Sequence, residues 1–213
     1  MLMNFAVNHP ITHLLRQCCK FHRLMQPDPF ASLHSVTAPL RPIHDAYWVI
    51  PGRLLAGEYP AVTFNPEATN RRLSAFLESG FVTFINLVGL GEAEEYAPIL
   101  AEMAAVRGVK VECLNFPIGD YGLPSVMDMH AILNAIDKAL IGKHKVYLHC
   151  YGGIGRTGTV VGCYLVQHGQ TGQQALTQLA AWWRNVPKSM RFPNSPETVD
   201  QENFILGWHQ PKE

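Results

Sequence analysis

The chain has 213 residues, of which 47% are hydrophobic and 16% charged, and its formal net charge is zero. This composition predicts a globular protein long enough for one sizeable domain, and the balanced charge gives no sign of a nucleic acid or a membrane as partner. The 5 cysteines lack regular spacing, which excludes a disulfide framework and a C-x-x-C metal site and favours a reducing, cytoplasmic setting.

The first 42 residues differ in composition from the rest of the chain. Asp28 is their only acidic residue, several histidines are present, and the segment ends in a proline-rich stretch. It lacks the apolar centre and small-residue cleavage site of a signal peptide. We interpret residues 1–42 as a loosely ordered N-terminal extension, with an organelle-targeting peptide or a mis-assigned start codon as the alternatives, and residues 43–213 as one catalytic domain.

Prolines and glycines divide residues 43–213 into strands and helices. In chain order, the first half has strands at 47–50 and 53–57, a helix at 66–79, a strand at 81–87, a helix from Glu92 to Gly108 and a strand at 109–114. Beyond a loop at 116–125 follow a helix at 126–142, a strand at 145–149, helices at 157–168 and 171–186, and a last helix that opens at 195–197. This alternation predicts an α/β domain whose mostly parallel central sheet has helices on both faces.

The stretch 145–159 combines a short apolar strand, a glycine-rich turn and the start of a helix. Its small residues let successive backbone N–H groups point inward as a nest for an anion, and the positive end of the following helix faces the same centre. The stretch is therefore predicted to bind a phosphate group. The turn residues that would hold it are Tyr151, Gly152, Gly153, Ile154 and Gly155.

Cys150 and Arg156 flank this turn in the spacing C-x5-R. Arg156 offers a planar pair of donors to two phosphate oxygens, and the positive surroundings favour the thiolate form of Cys150, which is the nucleophile. That thiolate can attack phosphorus and form a phosphocysteine. Residues 138–196 contain no Asp or Glu, which predicts a positive field around the turn.

Two other phosphate-binding motifs explain the same glycines less well. Residues 153–158 match G-x-G-x-x-G, but a dinucleotide site also needs an acidic residue about 20 positions later, and none occurs before Glu197. The Lys-Ser/Thr of a Walker A motif is missing as well, because Thr159 and Val160 follow Gly158. The spacing C-x5-R remains the better interpretation.

The segment His149-Cys150-x5-Arg156-Thr157-Gly158 resembles the signature of the cysteine-dependent protein tyrosine and dual-specificity phosphatases. Its glycines are most similar to the small, bacterial-type dual-specificity branch. The resemblance implies the α/β fold of that family and hydrolysis of phosphomonoesters through a phosphocysteine, without a metal or another cofactor. It also implies a phosphorylated protein, or a small phosphorylated compound, as the substrate.

The same resemblance implies roles for residues outside the turn. Asp120 lies between Pro117 and Pro124, in the place of the family's general acid, which protonates the leaving oxygen. Glycines on either side of Asp120 would let this loop move as a lid. Gln201 is in the place of the residue that positions the water for hydrolysis of the phosphocysteine.

Five further side chains have two interpretations or a supporting role. His149 either orients the turn by hydrogen bonding or is an ordinary core histidine. Thr157 would donate its hydroxyl to the nucleophilic sulfur. Tyr59 either stacks on an aryl substrate or is structural, and Cys113 and Cys163 are either buried thiols or partners for a protective disulfide.

Three alternatives to a protein phosphatase remain open. A small phosphorylated metabolite, nucleotide or inositide is one substrate class, although the turn has no Lys, Arg or His to bind extra phosphates. A rhodanese-like sulfurtransferase also uses a cysteine loop, but a persulfide carrier needs neither Asp120 nor the Arg156 fork. A phosphate-reading binding module usually lacks the nucleophile, the arginine or the acid, and all three are present here. Nothing in the sequence indicates an oligomeric state.

Overall fold

The apolar runs predicted as strands form one five-stranded sheet in the computed structural model, which describes residues 39–209. The predicted N-terminal extension lies largely outside the described residues. The order across the sheet is β1-β2-β5-β3-β4; only β1 and β2 pair antiparallel, which confirms the mostly parallel sheet. The strands are β1 Ala46–Ile50, β2 Leu54–Gly57, β3 Phe81–Asn86, β4 Glu112–Asn115 and β5 Lys145–His149.

Six α-helices and a short 3-10 helix accompany the sheet within residues 39–209. The 3-10 helix covers Pro187–Met190, between the last two α-helices. No helix of this part of the chain is long and apolar enough to cross a membrane. The α-helices are α1 Pro66–Glu78, α2 Ala97–Val106, α3 Val126–Ile141, α4 Gly155–Gln167, α5 Gly172–Trp183 and α6 Val199–Gly207.

Side chains of a strand alternate between the two faces of the sheet, and each face has its own helical layer. Trp48 of β1 stacks on Phe81 with 5.9 Å between ring centroids, in a core shared with α1 and α2. Its neighbour Tyr47 points to the opposite face, where it stacks on Trp182 of α5 at 6.1 Å. On that face α5 packs against α4 and α6, and α4 packs against α3. Helices therefore cover both faces, as predicted.

The helix predicted to start at Glu92 starts five residues later, at Ala97, where Pro98 occupies the first turn. Residues 88–96 are a loop instead. The Glu92 carboxylate accepts the backbone N–H of Gly89 at 3.0 Å and so closes a local turn rather than capping a helix. An acidic cluster was therefore mistaken for a helix N-terminus.

Two predicted boundaries near the C-terminus also shift. The last helix, predicted to open at 195–197, starts at Val199, because the Thr198 side chain provides the N-cap. α5 ends at Trp183 rather than at 186, and Pro187 then starts the separate 3-10 helix. Proline is tolerated at a helix start but not in its interior.

The parallel strands β3, β4 and β5 end at one edge of the sheet, and each leads into a loop. We name these the glutamate loop (residues 87–96), the acid loop (116–125) and the cradle loop (150–154). Open α/β sheets bind ligands at the carboxyl ends of their strands. The fold therefore brings Asp120 of the acid loop and Cys150 of the cradle loop to the same edge.

Candidate active site

The cradle loop begins where β5, the central strand of the sheet, ends. Cys150 is its first residue and is only 2% exposed, and its sulfur accepts a hydrogen bond from the backbone N–H of Gly153 at 3.3 Å. α4 starts at Gly155, directly after the loop, so the positive end of its dipole faces the loop. This combination is typical of an anion-binding nest.

Gly153 allows the cradle loop to pack tightly against the end of β2. Its φ is +76°, a left-handed conformation that residues with a side chain rarely adopt. A Cβ at this position would lie 2.4 Å from the carbonyl carbon of Gly57 and 2.5 Å from the backbone nitrogen of Glu58. Both are backbone atoms, so neither can give way by a change of rotamer.

We expect Gly153→Ala to lower the free energy of unfolding by about 3 kcal/mol or more, because backbone strain and the collision with β2 act together. Gly108→Ala is the matched control, since its φ is +66° but nothing lies within 4 Å of an added Cβ. Backbone strain alone costs about 1 kcal/mol there. Denaturant unfolding of both variants measures the difference, and equal losses would show that the close packing on β2 is unimportant.

Arg156, in the first turn of α4, is 3% exposed, and its guanidinium contacts the glutamate loop and the acid loop. Its Nη1 donates to Oε2 of Glu92 at 2.7 Å and to the carbonyl oxygen of Ile118 at 3.0 Å. Its Nη2 donates to Oε1 of Glu92 at 2.5 Å and to Oδ1 of Asp120 at 3.0 Å. Hydrogen bonds from Arg156 lower the pKa of Glu92 below its ordinary value, so that the pair stays ionised.

Asp120 lies in the turn at the tip of the acid loop. The backbone N–H of Gly122 donates to the carbonyl oxygen of Gly119 at 2.9 Å, and Tyr121 between them has a φ of +55°. The Asp120 side chain is 61% exposed and lines the same cleft as Cys150. The structure thus brings the predicted acid and the predicted nucleophile into one cleft.

Aromatic side chains border this cleft. Tyr121, Tyr151 and Phe192 line it, and we call these three residues the aromatic rim. The Tyr151 ring is 47% exposed and stacks on Tyr59 at 6.3 Å between centroids. Tyr59 is only 8% exposed, and its hydroxyl donates to the carbonyl oxygen of Glu94 at 2.7 Å. Tyr59 therefore has a structural role, while Tyr151 presents the ring that an aryl substrate can reach.

His149 lies behind the nucleophile and is fully buried. Its Nδ1 is 3.2 Å from the carbonyl oxygen of Cys150, and its Nε2 is 2.8 Å from the hydroxyl of Tyr96. A carbonyl oxygen only accepts, so Nδ1 carries the proton and Nε2 accepts from the hydroxyl. Burial lowers the pKa of His149 to about 3, so the ring is neutral near pH 7. These contacts fix the first peptide of the cradle loop.

Three other predicted residues lie in or near the core. The hydroxyl of Thr157 is buried and has no hydrogen-bond partner among residues 39–209, so its predicted bond to the Cys150 sulfur stays a prediction. Cys113 and Cys163 are free thiols. Burial raises the pKa of Cys113 to about 11 and also raises the pKa of Cys163, which is typical of buried thiols.

Gln201 reaches the cradle loop from α6. Its side chain is fully buried, and a Cβ on Gly155 would lie 2.9 Å from its amide oxygen. Gln201 therefore adjoins the start of α4, directly after the cradle loop.

The sequence did not reveal Glu92 or Lys188 as parts of the site. Glu92 is 64 positions from the arginine that it binds, and its acidic neighbours suggested a helix start. The Lys188 Nζ donates to the carbonyl oxygen of Gly152 at 3.1 Å and also forms an ion pair with Glu58. It brings to the rim of the turn a cation that the turn itself lacks. Only the folded chain shows either contact.

The predicted positive field around the turn is opposed by carboxylates from outside residues 138–196. Glu92 and Asp120 both contact Arg156, and Glu197 lines the same cleft. Burial, together with the negative charge of Asp120, raises the pKa of Glu197. Counting charges along the sequence missed these groups, because they enter the site from other loops.

A family model described as "Swiss Army Knife protein, DSP-PTPase phosphatase domain" matches residues 44–205, most of the chain. The chain belongs to this family of dual-specificity phosphatase domains. Its signature residues Cys150 and Arg156 line one cleft within the matched residues. The family assignment confirms the superfamily that the signature predicted, without singling out the small bacterial-type branch.

Two relatives are similar over parts of their length. Cyclin-dependent kinase inhibitor 3 of Sus scrofa is 28% identical over 118 residues, which cover 54% of this chain and 51% of that protein. Phosphatidylglycerophosphate phosphatase PTPMT2 of Arabidopsis thaliana is 36% identical over 97 residues, which cover 43% of this chain and 40% of that protein. The chain thus spans about half or less of the length of these relatives.

Solved phosphatase structures share the fold. Tk-PTP in its active form has a TM-score of 0.55 at 26% identity, over 76% of this chain and 93% of that chain. A kinase associated phosphatase with its catalytic cysteine replaced by serine has a TM-score of 0.60 at 20% identity, over 78% and 94%. These matches confirm the phosphatase-like α/β fold.

Proposed function

We propose that the chain hydrolyses phosphomonoesters of proteins, on tyrosine and on serine or threonine, through a phosphocysteine at Cys150. The observation that carries the proposal is the contact of Arg156 with Asp120 beside the cradle loop. Because Cys150 lines the same cleft, this contact supports a nucleophile, a phosphate clamp and an acid that act together, which is what the reaction needs. The aromatic rim suits the aryl group of a phosphotyrosine.

Phosphate binding would rearrange the contacts of Arg156. A guanidinium has five N–H groups, and the contacts with Glu92, Ile118 and Asp120 use four of them. A phosphate bound through two N–H groups must therefore displace one partner. Asp120 is the most exposed of the three and has a single contact with the guanidinium. The incoming phosphate would release it toward the leaving oxygen.

The chemistry then follows in two steps. The Cys150 thiolate attacks phosphorus, the bond to the ester oxygen breaks, and Asp120 gives its proton to that oxygen. A water next attacks the phosphocysteine, Asp120 accepts a proton from it, and phosphate and thiolate are released. The N–H groups of residues 151–155 and the Arg156 fork stabilise the charge on phosphorus throughout, and we assign no metal or cofactor a role.

Two neighbours of the nucleophile would support these steps. His149, which is neutral, holds the Cys150 carbonyl oxygen and so orients the start of the cradle loop. Thr157, whose buried hydroxyl is unpaired among the described residues, would donate to the sulfur when it leaves phosphorus. The unpaired hydroxyl supports that role, since leaving a buried hydroxyl without a hydrogen bond destabilises the fold, and such groups are rare outside functional sites.

Asp120→Asn tests the role of the acid. We expect kcat/KM for a phosphoserine peptide to fall by about 10³-fold, because an alkoxide leaves poorly without a proton. The loss with p-nitrophenyl phosphate should be only about 10-fold, because nitrophenolate needs little protonation. Glu67→Gln is the control, since this carboxylate lies 89% exposed on α1. Equal losses on both substrates would contradict general-acid catalysis by Asp120.

A small phosphorylated metabolite, nucleotide or inositide is the second substrate class. Lys188 supports it, because it brings a cation to the cradle loop beside Arg72 and Glu58 in an adjoining groove. The relative PTPMT2 is named as a phosphatidylglycerophosphate phosphatase. Phosphate release from phosphotyrosine, phosphoserine and phosphothreonine peptides, inositides and nucleotides separates the two classes. Saturable phosphopeptide binding without phosphate release would indicate a binding module instead.

The remaining proposals concern the branch of the phosphatase family, the cellular compartment and the partners of the chain. Three of the five residues between Cys150 and Arg156 are glycines, which supports the small bacterial-type branch of the family. The free thiols of Cys113 and Cys163 support a reducing, cytoplasmic setting. We propose no nucleic acid or membrane as a partner, since the chain has no net charge.

A further inference from the structure

The side-chain amide of Gln201 has hydrogen-bond partners at both ends. Its oxygen accepts the backbone N–H groups of Glu197 at 3.1 Å and Thr198 at 3.3 Å, just before α6. Its nitrogen donates to the carbonyl oxygen of Gly122 in the acid loop at 3.2 Å. The amide thus links the start of α6 to the loop that carries Asp120.

These contacts leave little room for a role in activating water. An amide oxygen has two lone pairs, and the N–H groups of Glu197 and Thr198 use both. The amide nitrogen of Gln201 can only donate. A water that attacks phosphorus uses its oxygen lone pair for the attack, so it is held through its protons, and the amide oxygen of Gln201 has no lone pair left to accept one.

The acid loop is held at the two ends of its turn. Arg156 binds the carbonyl oxygen of Ile118, on one side of Asp120, and Gln201 binds that of Gly122, on the other. Asp120 itself and its neighbours Gly119 and Tyr121 are exposed, so side-chain packing contributes little to their position. Together with the direct contact of Arg156 with the carboxylate, these two hydrogen bonds hold the turn that carries Asp120.

We propose that Gln201 is a positioning residue for Asp120, which acts in the step that breaks the ester bond, and not the residue that places the hydrolytic water. The inference rests on the proposed phosphatase activity. It assigns to Gln201 a role in the same step as the acid, so that its loss should mimic a partial loss of Asp120.

Gln201→Glu tests this role selectively. The variant keeps an oxygen for the N–H groups of Glu197 and Thr198, but it places an acceptor against the carbonyl oxygen of Gly122. We expect kcat/KM for a phosphoserine peptide to fall by about 10²-fold, as for a displaced catalytic group. With p-nitrophenyl phosphate the fall should be only about 3-fold, because that leaving group needs little acid.

Three measurements complete the experiment. Asn203→Asp makes the same amide-to-acid change at an exposed position of α6 and should have no effect on either substrate. Gln201→Met removes the contacts without adding a charge and should show the same dependence on leaving group. In the double variant with Asp120→Asn, the Gln201 change should cost little more, because both act through one group. Thermal unfolding identifies any variant that fails to fold.

A water-placing role for Gln201 would give different kinetics. If Gln201 placed the water, kcat would fall with kcat/KM unchanged, and p-nitrophenol would appear in a burst as the phosphocysteine accumulates. Such a burst would overturn the inference. Equal losses of kcat/KM on the two substrates, or full additivity of the Gln201 and Asp120→Asn effects, would overturn it as well. A wild-type protein that releases no phosphate from any substrate would instead overturn the proposed function.

Discussion

Cys150→Ser is expected to lower the rate of phosphate release by about 10⁴-fold or more, the usual consequence of removing a nucleophile. A serine hydroxyl reacts only when a base removes its proton. The neighbouring base is His149, and both of its ring nitrogens are already bonded, to the Cys150 carbonyl oxygen and the Tyr96 hydroxyl. A serine at position 150 would therefore stay a neutral, weak nucleophile.

Cys150→Ser should still bind a phosphopeptide. The N–H groups of the cradle loop and the Arg156 guanidinium remain in place, so the variant should bind a phosphopeptide with an affinity within about 10-fold of wild type. Cys163→Ser, in the interior of α4, is the control for the loss of a buried thiol and should keep its activity. Calorimetry and phosphate release, with a chelator present, measure both properties. Metal-independent hydrolysis by Cys150→Ser would contradict a phosphocysteine mechanism.

Much of the fold was predictable because local sequence and tertiary structure agree. β5 is a short apolar run that is buried on both faces, and α3 has an N-cap at Ser125, which accepts the backbone N–H of Asp128, and a regular apolar face. The largest error, the helix start predicted at Glu92, falls where a side chain has a distant partner. Glu92 leaves helix geometry to reach Arg156, and no local propensity encodes that contact.

The candidate site was predictable to the extent that its residues are contiguous. The turn between Cys150 and Arg156 is a continuous segment, and its chemistry follows from spacing alone. The prediction for Asp120 rests on the resemblance of its loop to the acid loop of the phosphatase family. The contacts of Glu197 and Lys188 depend on how α6 and the 3-10 helix pack beside the turn, and a sequence carries no direct signal for that packing.

The contacts that Glu92, Ile118 and Asp120 make with Arg156 affect the whole site. The guanidinium of Arg156, at the start of α4, contacts both the glutamate loop and the acid loop. Its ion pair with Glu92 is largely removed from water, and a buried pair is costly to break although it adds little when intact. If Arg156 binds phosphate as proposed, it couples the order of the two loops to that binding.

Arg156→Lys should for this reason lower kcat/KM by about 10³-fold although the charge is kept. An ammonium group cannot form the two parallel hydrogen bonds of a guanidinium, either to a phosphate or to Glu92, and loss of one oxyanion donor alone costs about 10²- to 10³-fold. The carbonyl oxygen of Ile118 would lose its donor as well, which frees one end of the acid loop. Both effects act on the transition state.

Two measurements separate these effects. Weaker inhibition by inorganic phosphate reports the loss of the clamp, and a larger loss on a phosphoserine peptide than on p-nitrophenyl phosphate reports the displaced Asp120. Arg72→Lys is the matched control, because Arg72 forms a partly buried ion pair with Glu58 at 2.8 Å in the adjoining groove. It should stay within about 3-fold of wild type, as expected for a pair outside the reaction centre. If Arg156→Lys were equally mild, positive charge would suffice, and the planar fork would have no special role in this site.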